Sequence, residues 1–214
     1  MTSNDIEFIT NQAAEPKTRL QWLFAHGAGA PMDSDFMNLV AEGVAEAGIT
    51  VQRFEFPYMQ ERRTTGKKRP PNRAPILLDH FQQAIEQVGG AEACIIGGKS
   101  MGGRMASVLA ADDSLGIQGV VCLGYPFYPV GKKEKTRIDH FPDMKVAHCI
   151  LQGTRDALGE QEDVLSYQLP DVVGVHWFDD GNHDLKPRKK SGFSHEEHIE
   201  KAIQQIAAFI LSYD

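Results

Sequence analysis

Seven short apolar runs, separated by longer segments of helical periodicity, restrict the folds open to this chain. The runs are IEFIT (6–10), LQWLFAH (20–26), ITVQRFEF (49–56), ACIIGG (93–98), GVVCLGY (119–125), VAHCILQG (146–153) and VGVHWFD (173–179). Most are rich in β-branched or aromatic residues, with apolar character that is continuous rather than alternating. That pattern predicts central strands covered on both faces. Between them, residues 34–47, 74–88, 101–111 and 195–212 carry apolar residues at helical spacing, as Ile76, Leu77, Phe81, Ile85 and Val88 do. Such alternation predicts a three-layer α/β architecture on a mostly parallel, doubly wound sheet. With no internal repeat and no linker-like stretch, residues 1–214 are expected to form one domain.

In such a sheet, ligands bind just beyond the carboxyl ends of the strands, so the residues following each run matter most. After ACIIGG comes Gly97-Gly98-Lys99-Ser100-Met101-Gly102-Gly103. Its G-x-S-x-G lies between a strand and a helix, the setting of a nucleophile elbow. There the serine takes a strained backbone conformation, and small residues two positions to either side prevent clashes. The Walker phosphate loop, G-x-x-x-x-G-K-[ST], is absent, and the dinucleotide register G-x-G-x-x-G does not match.

A serine hydroxyl is a weak nucleophile until a histidine takes its proton and a carboxylate orients that histidine. Asp156 follows VAHCILQG and His183 follows VGVHWFD, so both fall in strand-end loops. Asp179, Asp180 and Asp184 neighbour His183 and are expected to shape its loop. Among the other histidines, His148 and His176 lie within strands, and His195 and His198 open the last helix at expected solvated positions. His80 and His140 belong to no motif. The backbone N–H groups of Met101, opening the helix after the elbow, and Ala28, in LFAHGAGAP (23–31), are the expected oxyanion donors. His26 is expected to hold that loop, and His26, Gly27, Tyr58 and Tyr125 are the candidate substrate-binding residues. Phe36 and Met37 are expected to serve ordinary helix packing. Arg53 and Glu55 are two apart on a strand and face one side, so a structural ion pair is expected.

The HGAGA, GGKSMGG, QGTRDALG and DDGNHDL stretches resemble those of α/β-hydrolases, from about residue 20 onward. Ser100, Asp156 and His183 also follow the chain order of that superfamily. Within it, the chain resembles the small, capless testis-expressed and KANL-type group, which shares the strand-end motif Phe56-Pro57-Tyr58. The resemblance implies an α/β-hydrolase fold with sheet order 1-2-4-3-5-6-7-8, its N-terminal edge strand being the one a short chain could lack. It also implies a serine esterase or thioesterase acting on a small to medium acyl substrate, with no metal or organic cofactor. The alternative is a hydrolase-like scaffold used for binding or complex assembly with little turnover, as kinship with a subunit of a chromatin-modifying complex suggests. Only about 20 residues separate Tyr125 from Val146, where larger relatives insert a helical cap, so no cap and an open pocket are expected.

Composition narrows the setting. Hydrophobic residues make up 42% and charged residues 24%, ordinary for a soluble globular protein. MTSNDIEFIT lacks the features of a signal peptide, and no run approaches the roughly 18 apolar residues of a membrane span. Cys94, Cys122 and Cys149 each sit in a strand-like run without C-x-x-C spacing, so buried, reduced thiols and a cytoplasmic location are expected. A net charge of −7 argues against a nucleic-acid partner. Most of the 22 Lys and Arg nevertheless cluster in 61–73, 132–137 and 186–190, or as Lys99, Arg104 and Arg155 beside the candidate site. A basic rim attracting an anionic acyl substrate is the corresponding expectation. Oligomeric state has no signature in the sequence.

Overall fold

The computed structural model describes residues 5–214. Each apolar run contains a strand: β1 (Phe8–Asn11), β2 (Gln21–Ala25), β3 (Val51–Phe54), β4 (Cys94–Lys99), β5 (Gly119–Leu123), β6 (Ala147–Gly153) and β7 (Val173–Phe178). The helices are α1 (Asp35–Glu46), α2 (Pro57–Thr65), α3 (Ala74–Gln87), α4 (Met101–Leu109), α5 (Gln161–Leu165) and α6 (His195–Leu211). One sheet runs β1-β3-β2-β4-β5-β6-β7, with β1 antiparallel to β3 and every other pairing parallel. This is the eight-strand order of the resemblance with its N-terminal edge strand missing among the described residues.

The continuous apolar character of the strands follows from two cores, one on each face. Successive residues of β2 point to opposite sides. Leu23 and Ala25 pack with Phe81, Ile96 and Met105 under α3 and α4, whereas Trp22 and Phe24 pack with Val40, Val44, Ile199 and Ile206 under α1 and α6. Burying one such side chain contributes roughly 1.5–3 kcal/mol, so the sheet is held from both sides. The long C-terminal helix begins at a capping box, in which Ser194 and Glu197 satisfy each other's backbone N–H groups.

Helix α2 was not legible as a helix, because among its residues only Tyr58 and Met59 are buried and the remainder is polar. It starts with Pro57 in the first turn, where the missing N–H costs nothing. It ends at Gly66, whose φ of 70° suits a left-handed cap. Part of the basic 61–73 stretch is therefore helical. Helix α5 spans five residues, too few for periodicity to show. Residues 124–146, between β5 and β6, contain no helix or strand, so no cap domain covers the carboxyl ends at this point.

The chain visits β3 on one side of β2 and β4 on the other. The crevice at this switch point lies beyond the carboxyl ends of β2 and β4. Ala25 is opposite Gly98 in the register, so His26-Gly27-Ala28 emerge directly beside Lys99-Ser100.

Candidate active site

Ser100 sits between β4 and α4 with φ 54° and ψ −114°, a backbone conformation sparsely populated by residues with side chains. The glycines on either side make it possible. A Cβ on Gly102 would lie 2.5 Å from Ala25 O, and one on Gly98 would lie 2.6 Å from Gly103 N. The turn is thus packed to backbone contact with the end of β2, and Ser100 borders solvent-accessible space on both sides of the elbow.

Asp156 is buried just past β6, and both carboxylate oxygens are engaged. Oδ1 accepts the Leu158 N–H at 2.9 Å, and Oδ2 accepts from Gln152 Nε2 at 3.0 Å and His183 Nδ1 at 2.7 Å. With Nδ1 donating to a carboxylate, Nε2 of neutral His183 is left as the acceptor. His183 and Ser100 border the same cavity of about 460 Å³, together with Gly27, Ala28 and Phe36. Ser100 Oγ and His183 Nε2 are not hydrogen-bonded in this structure; such contacts often tighten only when substrate binds.

The loop after β2 is held by its carbonyls. His26 is fully buried; its Nδ1 donates to Gly27 O at 2.7 Å, and its Nε2 accepts the Phe56 N–H at 3.1 Å. Burial lowers the His26 pKa, consistent with a neutral ring in this role. The Tyr58 hydroxyl donates to Gly27 O at 3.2 Å and Ala28 O at 3.0 Å. Gly27 C=O and Ala28 N–H belong to one trans peptide and point opposite ways. Anchoring that oxygen against His26 and Tyr58 turns the Ala28 N–H away from them. The N–H groups of Ala28 and Met101 have no hydrogen-bond partner among the described residues, and Met101 opens α4, where N–H groups lack intrahelical acceptors.

Of the residues expected to contact substrate, only Gly27 borders the cavities beside Ser100. His26, Tyr58 and Tyr125 are instead buried. The first two clamp the loop, while the Tyr125 hydroxyl donates to Arg137 O at 2.8 Å and its ring packs on Phe127 and Phe141. Phe36 and Met37 pack against the core as expected and also border the cavity.

The basic rim is also partly dismantled. Arg63 is paired with Glu55 and Asp33, Arg69 with Glu61, Lys133 with Glu160 and Asp163, and Arg155 and Arg188 with Asp180. Glu55 therefore binds Arg63 and not Arg53, whose guanidinium is held by Asn11, Asn38 and Met32 O. Lys99 is buried, pairs with Asp184 at 3.2 Å and donates to His183 O at 2.8 Å. Sequence reasoning missed this link between the elbow and the histidine loop. His195 and His198 add to it, donating to Asp184 O and Leu185 O; His198, expected to be solvated, is buried.

A second serine–histidine contact lies elsewhere. Ser107 Oγ meets His148 Nε2 at 3.0 Å and His140 Nε2 at 2.7 Å, while His148 Nδ1 donates to Val146 O. Ser107 is fully buried inside α4, and a carbonyl, not a carboxylate, stands behind His148. This network ties α4 to β6 and has no access to a substrate.

An open, mostly parallel sheet without a cap, carrying a serine elbow and an Asp–His pair at its carboxyl end, defines a hydrolase-type α/β architecture. The chain belongs to the family described as the alpha/beta hydrolase domain, whose model matches residues 18–211. Its fold is similar to that of an alpha-beta serine hydrolase homologue from Coxiella burnetii, at 15% identity, covering 95% of this chain and 91% of that one with a TM-score of 0.71. It is also similar to a serine hydrolase without lid from Xanthomonas campestris, at 16% identity, 95% and 89% coverage and a TM-score of 0.63. Dienelactone hydrolase from Anabaena variabilis matches at 18% identity, 97% and 95% coverage and a TM-score of 0.65. No helix among the described residues is long and apolar enough to cross a membrane.

Proposed function

We propose that this protein is a serine hydrolase cleaving esters or thioesters through a covalent acyl-enzyme. The observation that carries the reading is the His183–Asp156 hydrogen bond, 2.7 Å long, at a cavity shared with the strained Ser100. Solved structures of similar fold include a serine hydrolase and an esterase domain, which supports the same chemistry.

In this mechanism Ser100 Oγ adds to the substrate carbonyl carbon as its proton passes to His183 Nε2. Asp156 holds the imidazole tautomer and stabilises the imidazolium. The N–H groups of Ala28 and Met101 take the negative charge that develops on the carbonyl oxygen. Collapse expels the alcohol or thiol, which receives the proton from His183. Water, activated by the same histidine, then adds to the acyl-enzyme and releases the acid and free Ser100. Every group is supplied by the chain itself. Three buried, unpaired thiols favour a reducing, cytoplasmic setting.

A fluorophosphonate probe tests the reading without knowledge of the substrate. Wild-type protein should be labelled and should hydrolyse p-nitrophenyl esters, whereas Ser100→Ala and His183→Ala should lose both activities to a similar extent. A folded wild-type protein that resists the probe would overturn it. The second reading, a scaffold of the testis-expressed and KANL-type group with little turnover, draws on the missing Ser100–His183 hydrogen bond, and the same probe decides between the two.

A further inference from the structure

Two cavities meet at Ser100, and their charges differ. The one containing His183 is also bordered by Lys99, Asp35 and Asp184, with Lys99 already paired to Asp184. On the other side of the elbow lies a cavity of about 390 Å³ bordered by Ser100, Met101, Arg104, Arg137, Leu77 and Met105, among others, with no carboxylate in its wall.

Neither arginine in that wall has an ion pair or a side-chain hydrogen bond among the described residues, and Arg104 Nε is buried without an acceptor. Other arginines of the chain have found partners: Arg53, Arg62, Arg63, Arg69, Arg155 and Arg188 all do. The two border the same cavity. Arg104 lies one helical turn after Ser100 on α4, its N–H bonded to Ser100 O. The Arg137 backbone is fixed by its N–H to Phe127 O and by Tyr125 OH to its carbonyl. Partial burial, and then the charge of Arg104, lower the Arg137 pKa. Two like charges at one cavity without an acid in its wall are a costly arrangement that one carboxylate would relieve, since guanidinium pairs recognise carboxylates by charge-assisted, bidentate hydrogen bonds.

The reaction geometry says which half of the substrate enters this cavity. His183 must return its proton to the leaving oxygen or sulfur, so the leaving group belongs on the His183 side and the acyl chain on the other. We infer, building on the serine-hydrolase reading, that the acyl group carries a second, free carboxylate bound by Arg104 and Arg137, making the substrate a half-ester or half-thioester of a dicarboxylic acid. Hydrolysis adds one water, releases the alcohol or thiol, and leaves the dicarboxylate as product. An anion carried on the leaving group would instead face Asp35 and Asp184.

The test compares kcat/KM for monobenzyl adipate and for its neutral primary-amide isostere, with adipate binding to Ser100→Ala measured by calorimetry. Wild-type protein should prefer the anionic ester by about 10-fold or more, as expected for charge-assisted contacts, and the preference should shrink as salt is raised. Arg104→Met and Arg137→Met should each move the ratio of the two rates towards one, and Arg104→Lys should restore it in part. Probe labelling of each variant reports whether the elbow has folded. Adipate should bind Ser100→Ala and lose affinity when either arginine is also replaced. Turnover of both esters at equal rates, or a preference only for a carboxylate on the alcohol side, would overturn this inference and leave the hydrolase reading intact. Arginine-dependent adipate binding without labelling or turnover would uphold the pocket and overturn the hydrolase reading. Adipate binding that ignores both arginines would sink the pocket whatever the turnover.

Discussion

Lys99 Nζ donates to the backbone carbonyl of His183 at 2.8 Å, joining the residue before the elbow serine to the loop that carries the histidine. Burial lowers the Lys99 pKa, opposed by nearby Asp184 and Asp156. Its ammonium also lies 5.4 Å from the centre of the Phe36 ring. Gly124 packs against the same junction, where a Cβ would lie 2.7 Å from His183 O and 3.1 Å from Lys99 Nζ. Lys99→Met should release the histidine loop. Because a displacement of about 1 Å can cost on the order of 100-fold in rate, fluorophosphonate labelling should slow by about 10- to 100-fold. Labelling at the wild-type rate by a folded variant would mean that the loop holds its position without this anchor.

The carboxylates near His183 should separate by function. Asp156→Asn places an amide where the imidazole needs an acceptor, and kcat should fall on the order of 10⁴-fold. Asp180 accepts from Arg188 and pairs with Arg155, so Asp180→Asn should loosen the loop and lower the melting temperature with a much smaller loss of kcat. Steady-state kinetics and a melting curve on both variants are sufficient; an Asp180 variant slower than the Asp156 variant would reassign the acid.

Tyr58 sits away from the reacting atoms and acts by orienting a peptide. Without its hydroxyl, Gly27 O and Ala28 O lose the one donor they share, and the Ala28 N–H is held less firmly. Tyr58→Phe should reduce kcat by about 10-fold with KM little changed, since the lost interaction supports the developing oxyanion. A change confined to KM would point to substrate contact instead.

The Ser107–His148–His140 network, in which Ser107 and His148 are buried and His140 half-buried, predicts an acid-sensitive fold. Burial lowers both histidines from 6.5 to about 4, with Arg104 adding to the effect at His140. Between those values the unfolded chain binds protons that the native protein does not, so stability is full above about pH 6.5 and declines as pH falls towards 4. For His148 alone this is on the order of 3 kcal/mol. His148→Gln keeps a donor for Val146 O and an acceptor for Ser107, so its melting temperature should depend less steeply on pH across that window. Parallel wild-type and variant curves would exclude His148 as a source.

How far the sequence reached can be read at particular residues. Strand and helix positions were legible because burial on two faces imposes continuous apolar runs, and burial on one face imposes a helical period. The strain at Ser100 was legible because flanking glycines reveal a backbone too crowded for side chains. The strand-end positions of Asp156 and His183 followed from the same pattern. Helix α2 was hidden, since polar residues surround its two buried side chains.

The sequence by itself determined the architecture and the candidate chemical groups, because periodicity and turn sterics act over a few neighbouring residues. Only the tertiary structure decided which charges neutralise one another. Glu55 takes Arg63 in place of Arg53, and Asp180 joins Arg155 to Arg188. Lys99 reaches across 84 residues to His183, while Arg104 and Arg137 are left facing one cavity without an acid. Coulombic partners are chosen by distance and burial in space, and separation along the chain carries no information about either.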